Sequence, residues 1–118
     1  MNLAKLQIPK LEWSRGVDDY ASPNNNLAWV HVKVEFPISS PREIAGAHSD
    51  YVTAQVTEYA GVDPEKWAWS RHLEPMKKRA FQSLVRNVRV RTERMMKADR
   101  ELVLVLLDGI LEAYPEYA

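Results

Sequence analysis

Seven positions spaced by three or four residues, Lys78, Gln82, Arg86, Arg89, Glu93, Lys97 and Arg100, fall on one side of a helix that runs unbroken that far. Five of the seven are cationic. Arg79 and Arg94 widen the charged side, while Lys77 and Arg91 lie nearer the apolar stripe and must reach out at its rim. Such a row can neutralise phosphates or carboxylates. Arginine outnumbers lysine six to three over 77–100, which favours planar, bidentate contacts. The plainer alternative is the solvated face of an amphipathic helix. Those faces usually mix signs, and this one is lopsided.

Trp67 and Trp69 precede the row, two residues apart. On a helix that spacing is about 200° of rotation. One of them is therefore expected outside the core, half-covered by a loop or, with Arg71, anchoring an interface where Trp and Arg are enriched. Trp29 stands beside His31 and Lys33. Aromatic and basic residues together can stack on bases, but no nucleic-acid module surrounds these.

The three histidines, His31, His48 and His72, form no i,i+4 pair and no HExxH pattern. A metal or proton-transfer site would have to be assembled from distant segments. His48-Ser49-Asp50 has the residue types of a hydrolytic triad, but adjacent residues cannot adopt its geometry. There is no glycine-rich phosphate loop and no GxSxG. No catalytic residue, metal ligand or cofactor is assigned from the sequence.

Charge is partitioned along the chain. Residues 71–100 hold ten Lys/Arg against three Asp/Glu, residues 1–70 six against nine, and residues 101–118 none against four. The basic segment either lies against its acidic neighbours or faces an acidic partner. The chain has no cysteine, which excludes disulfides, thiolate metal sites and a cysteine nucleophile and fits a reducing compartment. The N-terminus lacks a signal-peptide pattern. The longest apolar run, Leu102 to Leu107, is far short of a membrane span. A cytoplasmic location with no membrane contact is expected.

Several elements must position these groups. Residues 27–36 alternate strictly, with Ala28, Val30, Val32, Val34 and Phe36 to one side and Trp29, His31, Lys33 and Glu35 to the other, which predicts a strand. Residues 1–12 read as extended, with Leu6 and Ile8 on one side, and are the nearest pairing partner. Residues 13–26 carry loop chemistry, from Gly16 to the Asn24-Asn25-Asn26 run.

Ser40-Pro41-Arg42-Glu43 reads as a capping box opening a helix to about Tyr59, stopped by Gly61, although Tyr51-Val52-Thr53 has strand propensity. Asp63-Pro64-Glu65 opens a short helix over 64–73, and Pro75 opens the long basic helix to Lys97. Residues 99–114 read as a buried helix or as a strand and tight turn. The continuous face of Val103, Leu106, Leu107, Ile110, Leu111 and Tyr114 favours the helix, and Gly109 opposes it. Phe81, Val88, Met95 and Leu102 recur every seven residues, which suits packing inside the domain or a helix pair between subunits.

The sequence thus predicts one α+β domain over 1–118, dominated by helices. One N-terminal strand or hairpin in 1–38 packs on three to four helices in 40–118. The expected function is that of a small non-enzymatic binding protein: an adaptor, inhibitor or assembly subunit. It would use Lys78, Arg86, Arg89, Arg91, Arg94, Lys97 and Arg100, with Trp67, Trp69 and Arg71, to bind an acidic protein surface or another copy of itself. A nucleic-acid-binding regulator using the same helix is the alternative, and an enzyme with a scattered His/carboxylate site is a third. Compact chains without a familiar signature are often encoded by viruses or mobile elements, which brings a virus-encoded structural part or host inhibitor within this range.

Overall fold

The computed structural model describes residues 7–19, 26–44, 47–60 and 69–117. Three strands come first, β1 (Glu12–Asp19), β2 (Asn26–Ile44) and β3 (Ala47–Ala60), in one antiparallel sheet of order β1-β2-β3. Two α-helices follow, α1 (Trp69–Thr92) and α2 (Lys97–Ala113), and a 3-10 turn at Pro115–Tyr117 ends the described chain.

The alternation over 27–36 is realised in the centre of the sheet. Ala28, Val30, Val32, Val34 and Phe36 are all buried, and the opposite row is half-buried or exposed. Register carries this division to both neighbours. Trp13 and Arg15 stand opposite Val32 and Val30, while Ser14 and Gly16 stand opposite His31 and Trp29. On β3, Val56 and Ala54 pair with Val32 and Val34, while Tyr59, Thr57 and Gln55 pair with Trp29, His31 and Lys33. One face of the sheet therefore meets the helices and the other is open.

β1 pairs with β2 only as far as Glu12↔Lys33. Beyond it the β2–β3 ribbon continues without a third strand among the described residues, past a register shift between Pro37 and Arg42, to Ile44↔Ala47. The radius of gyration, 17.0 Å, exceeds the about 13.5 Å of a compact chain of this length.

The arrangement of one strand or hairpin on three to four helices is overturned. Residues 47–60, read as part of a helix over 40–59, form β3, and residues 40–44 extend β2. The inward row Val52, Ala54, Val56 and the outward row Tyr51, Thr53, Gln55, Thr57 have period two, and β-branched residues pack well on a pleated surface. The pairing partner of β2 is residues 12–19, not residues 1–12, so residues 13–19 of the expected loop are strand, and residues 20–25 lie outside the described residues. The inward row of β1 includes Arg15, whose guanidinium lies 4.7 Å from the Trp69 ring centroid. That stacking offsets the cost of a cation facing the helices. Leu6 and the Asp63-Pro64-Glu65 signal lie outside the described residues.

The helices also differ from expectation. α1 begins by Trp69 and carries Pro75 inside it, and it ends at Thr92 rather than Lys97. Thr92 is buried, and its hydroxyl donates to the Arg89 carbonyl at 2.7 Å. Glu93, Arg94 and Met95 then make i→i−3 backbone bonds, and the chain turns so that Met95 is buried. Arg100 Nη2 donates to the Met95 carbonyl at 3.3 Å, tying α2 to the turn. Residues 97–113 form the buried helix, not a hairpin. Gly109 leaves room there for Ile8, whose Cδ1 would stand 2.3 Å from a Cβ at this position, where the N-terminal segment crosses α2.

α1 runs alongside β3 in the opposite sense. Arg79 Nε lies 3.6 Å from Glu58 Oε1, and Arg91 Nη1 donates to the Thr53 carbonyl. Five residues of strand and twelve of helix separate these contacts, about 17 Å and about 18 Å, so strand and helix advance together. The main core joins Val32, Val34, Phe36 and Ala54 of the sheet to Phe81, Leu84 and Val88 of α1 and to Leu102, Val103, Leu106 and Ile110 of α2. Phe81, Val88, Met95 and Leu102 all lie in this cluster, so the seven-residue rhythm is spent inside the domain.

Candidate functional site

The basic row is split between two helices and still converges. Arg86, Arg89 and Arg91 on the last turns of α1, Arg94 in the turn, and Lys97 and Arg100 at the start of α2 gather around one corner and are all exposed. Only two carboxylates on this corner, Glu93 and Glu101, are exposed. Lys97 Nζ lies 4.0 Å from Glu101 Oε1, a pair made within one helix face. Among the described residues no carboxylate comes within ion-pair distance of Arg86, Arg89 or Arg94. The acidic residues Asp108, Glu112 and Glu116 are themselves exposed and do not neutralise the corner.

Several cations, two of them at the corner, also make contacts within the chain. Arg86 Nη2 donates to Ser83 Oγ at 3.0 Å, which leaves most of its donors outward. Arg91 reaches sideways to β3, as its place at the rim of the apolar stripe requires. Lys78 and Arg71 are exposed on α1, away from the corner. Lys77 bends inward, its ammonium 4.7 Å from the Trp13 centroid and 5.3 Å from that of Tyr117.

Trp69 is half-buried, packed beside Ala28, Val30 and Met76 with Arg15 against its ring. It belongs to the domain's own packing and does not join the basic corner. Trp67 lies outside the described residues. Two apolar side chains that the spacing did not single out do join the corner. Val90 is 59% exposed and Met96 68% exposed, so the cations surround apolar surface that a partner could cover.

The open sheet face carries a second feature. Trp29, Tyr59, His31, Thr57 and Ser14 line a shallow cleft of about 340 Å³. Trp29 fits because residue 16 is glycine: a Cβ there would stand 2.6 Å from Trp29 Cζ2 and 2.9 Å from Cε2. His31 Nε2 lies 3.1 Å from Gln55 Oε1. Lys33 is drawn to Glu12 at 3.5 Å and Glu35 at 3.8 Å, so its charge is met within the face. Trp29, His31 and Lys33 share this face, but the lysine is engaged by the two carboxylates. Ser14, Thr57 and Tyr59 join the cleft only because their segments, which carry loop and helix signals in the sequence, form strands. The period-two pattern around Tyr51-Val52-Thr53 was the signal for them.

The histidines do not converge. His31 is on the open face, His72 is on α1 across the sheet, and the backbone of His48 lies on the β2–β3 ribbon opposite Glu43. No group of three or more metal-ligating side chains occurs among the described residues. No helix among them is long and apolar enough to cross a membrane. The chain matches no family model, no curated protein and no solved structure.

Proposed function

We propose that this chain is a non-enzymatic binding protein, an adaptor, inhibitor or assembly subunit, whose basic corner grips an acidic protein surface. The observation that supports this reading is the cluster itself. Six exposed cations from α1, the turn and α2 surround Val90 and Met96 and face two exposed carboxylates. Arginine and methionine are enriched at protein interfaces and lysine is depleted. Five of the six cations here are arginines. Charge of one sign steers association, and the apolar centre supplies the desolvated contact that holds it. The aromatic residues of the open face lie on the other side of the sheet, so they cannot stack bases held at this corner.

The test is fluorescence anisotropy with labelled polyglutamate and with labelled DNA and RNA of matched charge, at ~50 and ~200 mM salt, a range over which charge-driven binding falls steeply. Binding of polyglutamate at low salt, lost in an Arg89→Glu/Arg94→Glu variant, is the expected result. Absence of polyglutamate binding at low salt sinks the reading. Tight binding to DNA or RNA in preference to polyglutamate transfers the corner to nucleic acid. Sedimentation at low salt tests whether a second copy, through Asp108, Glu112 and Glu116, is the acidic surface.

A further inference from the structure

We infer that the groove between α1 and β3, an edge strand among the described residues, takes an extended acidic peptide segment, which adds to the sheet as a fourth strand. The inference rests on the reading of the basic corner and names how the acidic partner is held.

The two edges of this sheet are built differently. β1, eight residues long, carries Glu12, Arg15, Asp18 and Asp19 and so discourages pairing. β3 is 14 residues long, and its stretch from Tyr51 to Thr57 has no charge, no proline and no glycine. Such an edge is a template for another strand. Its direction follows from one contact. In an antiparallel ladder the N–H and C=O of a residue point to the same side, and the side alternates along the strand. The Thr53 carbonyl points away from β2, because Arg91 of α1 donates to it. The register between β2 and β3 is unbroken from Ala28↔Ala60 to Pro37↔Tyr51. The N–H and C=O groups of Gln55 and Thr57 therefore point outward too.

These groups open onto a groove of about 450 Å³ lined by Thr53, Ala54 and Gln55 on one wall and Asn87, Val90 and Arg91 on the other. An edge strand beside a helix is the geometry in which strand addition gives affinity through the main chain and specificity through side chains on the helix wall. The helix wall here offers one apolar residue and one cation, with Arg94 following in the turn. The strand wall offers no carboxylate, and Glu58 at the far end is met by Arg79. Charge complementarity selects an acidic occupant with apolar residues interspersed. Its carboxylate takes Arg91 from the Thr53 carbonyl, which becomes free to accept a peptide N–H.

The test uses the full chain, labelled with ¹⁵N, and a capped eight-residue peptide alternating glutamate and valine. Two controls accompany it: the lysine–valine counterpart, and the acidic peptide N-methylated at alternate amides along one edge. N-methylation keeps the charge and removes the donors a fourth strand needs. Strand addition predicts slowed amide exchange at Gln55 and Thr57 with none at Arg15 or Val17, the outward amides of the β1 edge. It also predicts a roughly tenfold or greater loss of affinity on N-methylation, a main-chain pairing effect of about 1.4 kcal/mol, and a weakening by Arg91→Gln. Equal binding of the N-methylated peptide overturns strand addition and leaves the basic corner as a purely electrostatic surface. No binding of the acidic peptide also overturns it, and the polyglutamate titration then decides separately whether the corner binds acidic partners.

Discussion

Replacing Gly16 by alanine tests whether β1 and the open face are assembled as described. The new Cβ would stand 2.6 Å from Trp29 Cζ2, 2.9 Å from Cε2 and 3.2 Å from Nε1. The indole is rigid and turns about two torsions only, so it must leave the cleft. An aromatic side chain buries 150–250 Å² when fully enclosed, and returning ~100 Å² of it to water costs about 2.5 kcal/mol at 25 cal/mol per Å². Alanine recovers about 0.5–1 kcal/mol through lower entropy of the unfolded chain. Gly16→Ala is therefore expected to destabilise by about 1.5–2 kcal/mol. In a Trp29→Ala background the same change has nothing to strike and becomes stabilising by about 0.5–1 kcal/mol. The coupling between the two sites is then about 2–3 kcal/mol, read from a double-mutant cycle of urea denaturation followed by far-ultraviolet circular dichroism. Additivity within about 0.5 kcal/mol would show that the ring does not cross Gly16, and the register of β1 on β2 would have to be redrawn.

Three further outcomes are expected. Lys77→Met keeps the aliphatic stem over Trp13 and Tyr117 but removes the ammonium held 4.7 Å and 5.3 Å from their centroids; it should lower stability by about 1 kcal/mol, checked by thermal unfolding. Gly109→Ala should stabilise by about 1 kcal/mol in an Ile8→Ala background, where helix propensity acts alone. With Ile8 present the gain should shrink by at least about half, because the built Cβ meets Ile8 Cδ1 at 2.3 Å. Pro75→Ala, at an exposed position inside α1, restores a helix hydrogen bond to the Arg71 carbonyl and should raise stability by about 1–2 kcal/mol, read by chemical denaturation.

What the sequence made legible depended on contrast between faces. β2 could be read because its inward row is wholly apolar and its outward row is mixed. β3 lacked that contrast: its outward row contains Tyr51 and Tyr59, its inward row contains Glu58, and the Ser40-Pro41-Arg42-Glu43 box imitated a helix start. β1 was hidden because Arg15, on the row that faces the helices, breaks the apolar alternation; it stays exposed and stacks on the distant ring of Trp69. The break at Thr92 has no glycine or proline between 93 and 98 to announce it. It follows from the need to bury Met95 and to return Leu102 and Leu106 to the sheet, a tertiary demand that local propensity does not encode. The cationic corner survived this error because a turn between two helices still brings residues three and four apart close together.

Arg91 links the two surfaces, and this explains how a long uncharged edge is tolerated. It stands at the margin of the basic corner, yet its guanidinium serves the outward carbonyl of Thr53. In the unbound chain that contact occupies part of the β3 edge and places a cation beside it, one of the devices by which sheets avoid pairing with each other. A neutral or basic strand gains little by approaching, because it must displace Arg91 from the Thr53 carbonyl and offers the guanidinium no acceptor better than water. An acidic strand supplies a better acceptor for the same guanidinium and receives the Thr53 carbonyl in exchange. Attraction to the corner and exposure of the edge are then a single event, and selectivity for acidic segments comes from the cost imposed on the others as much as from the charge that draws them.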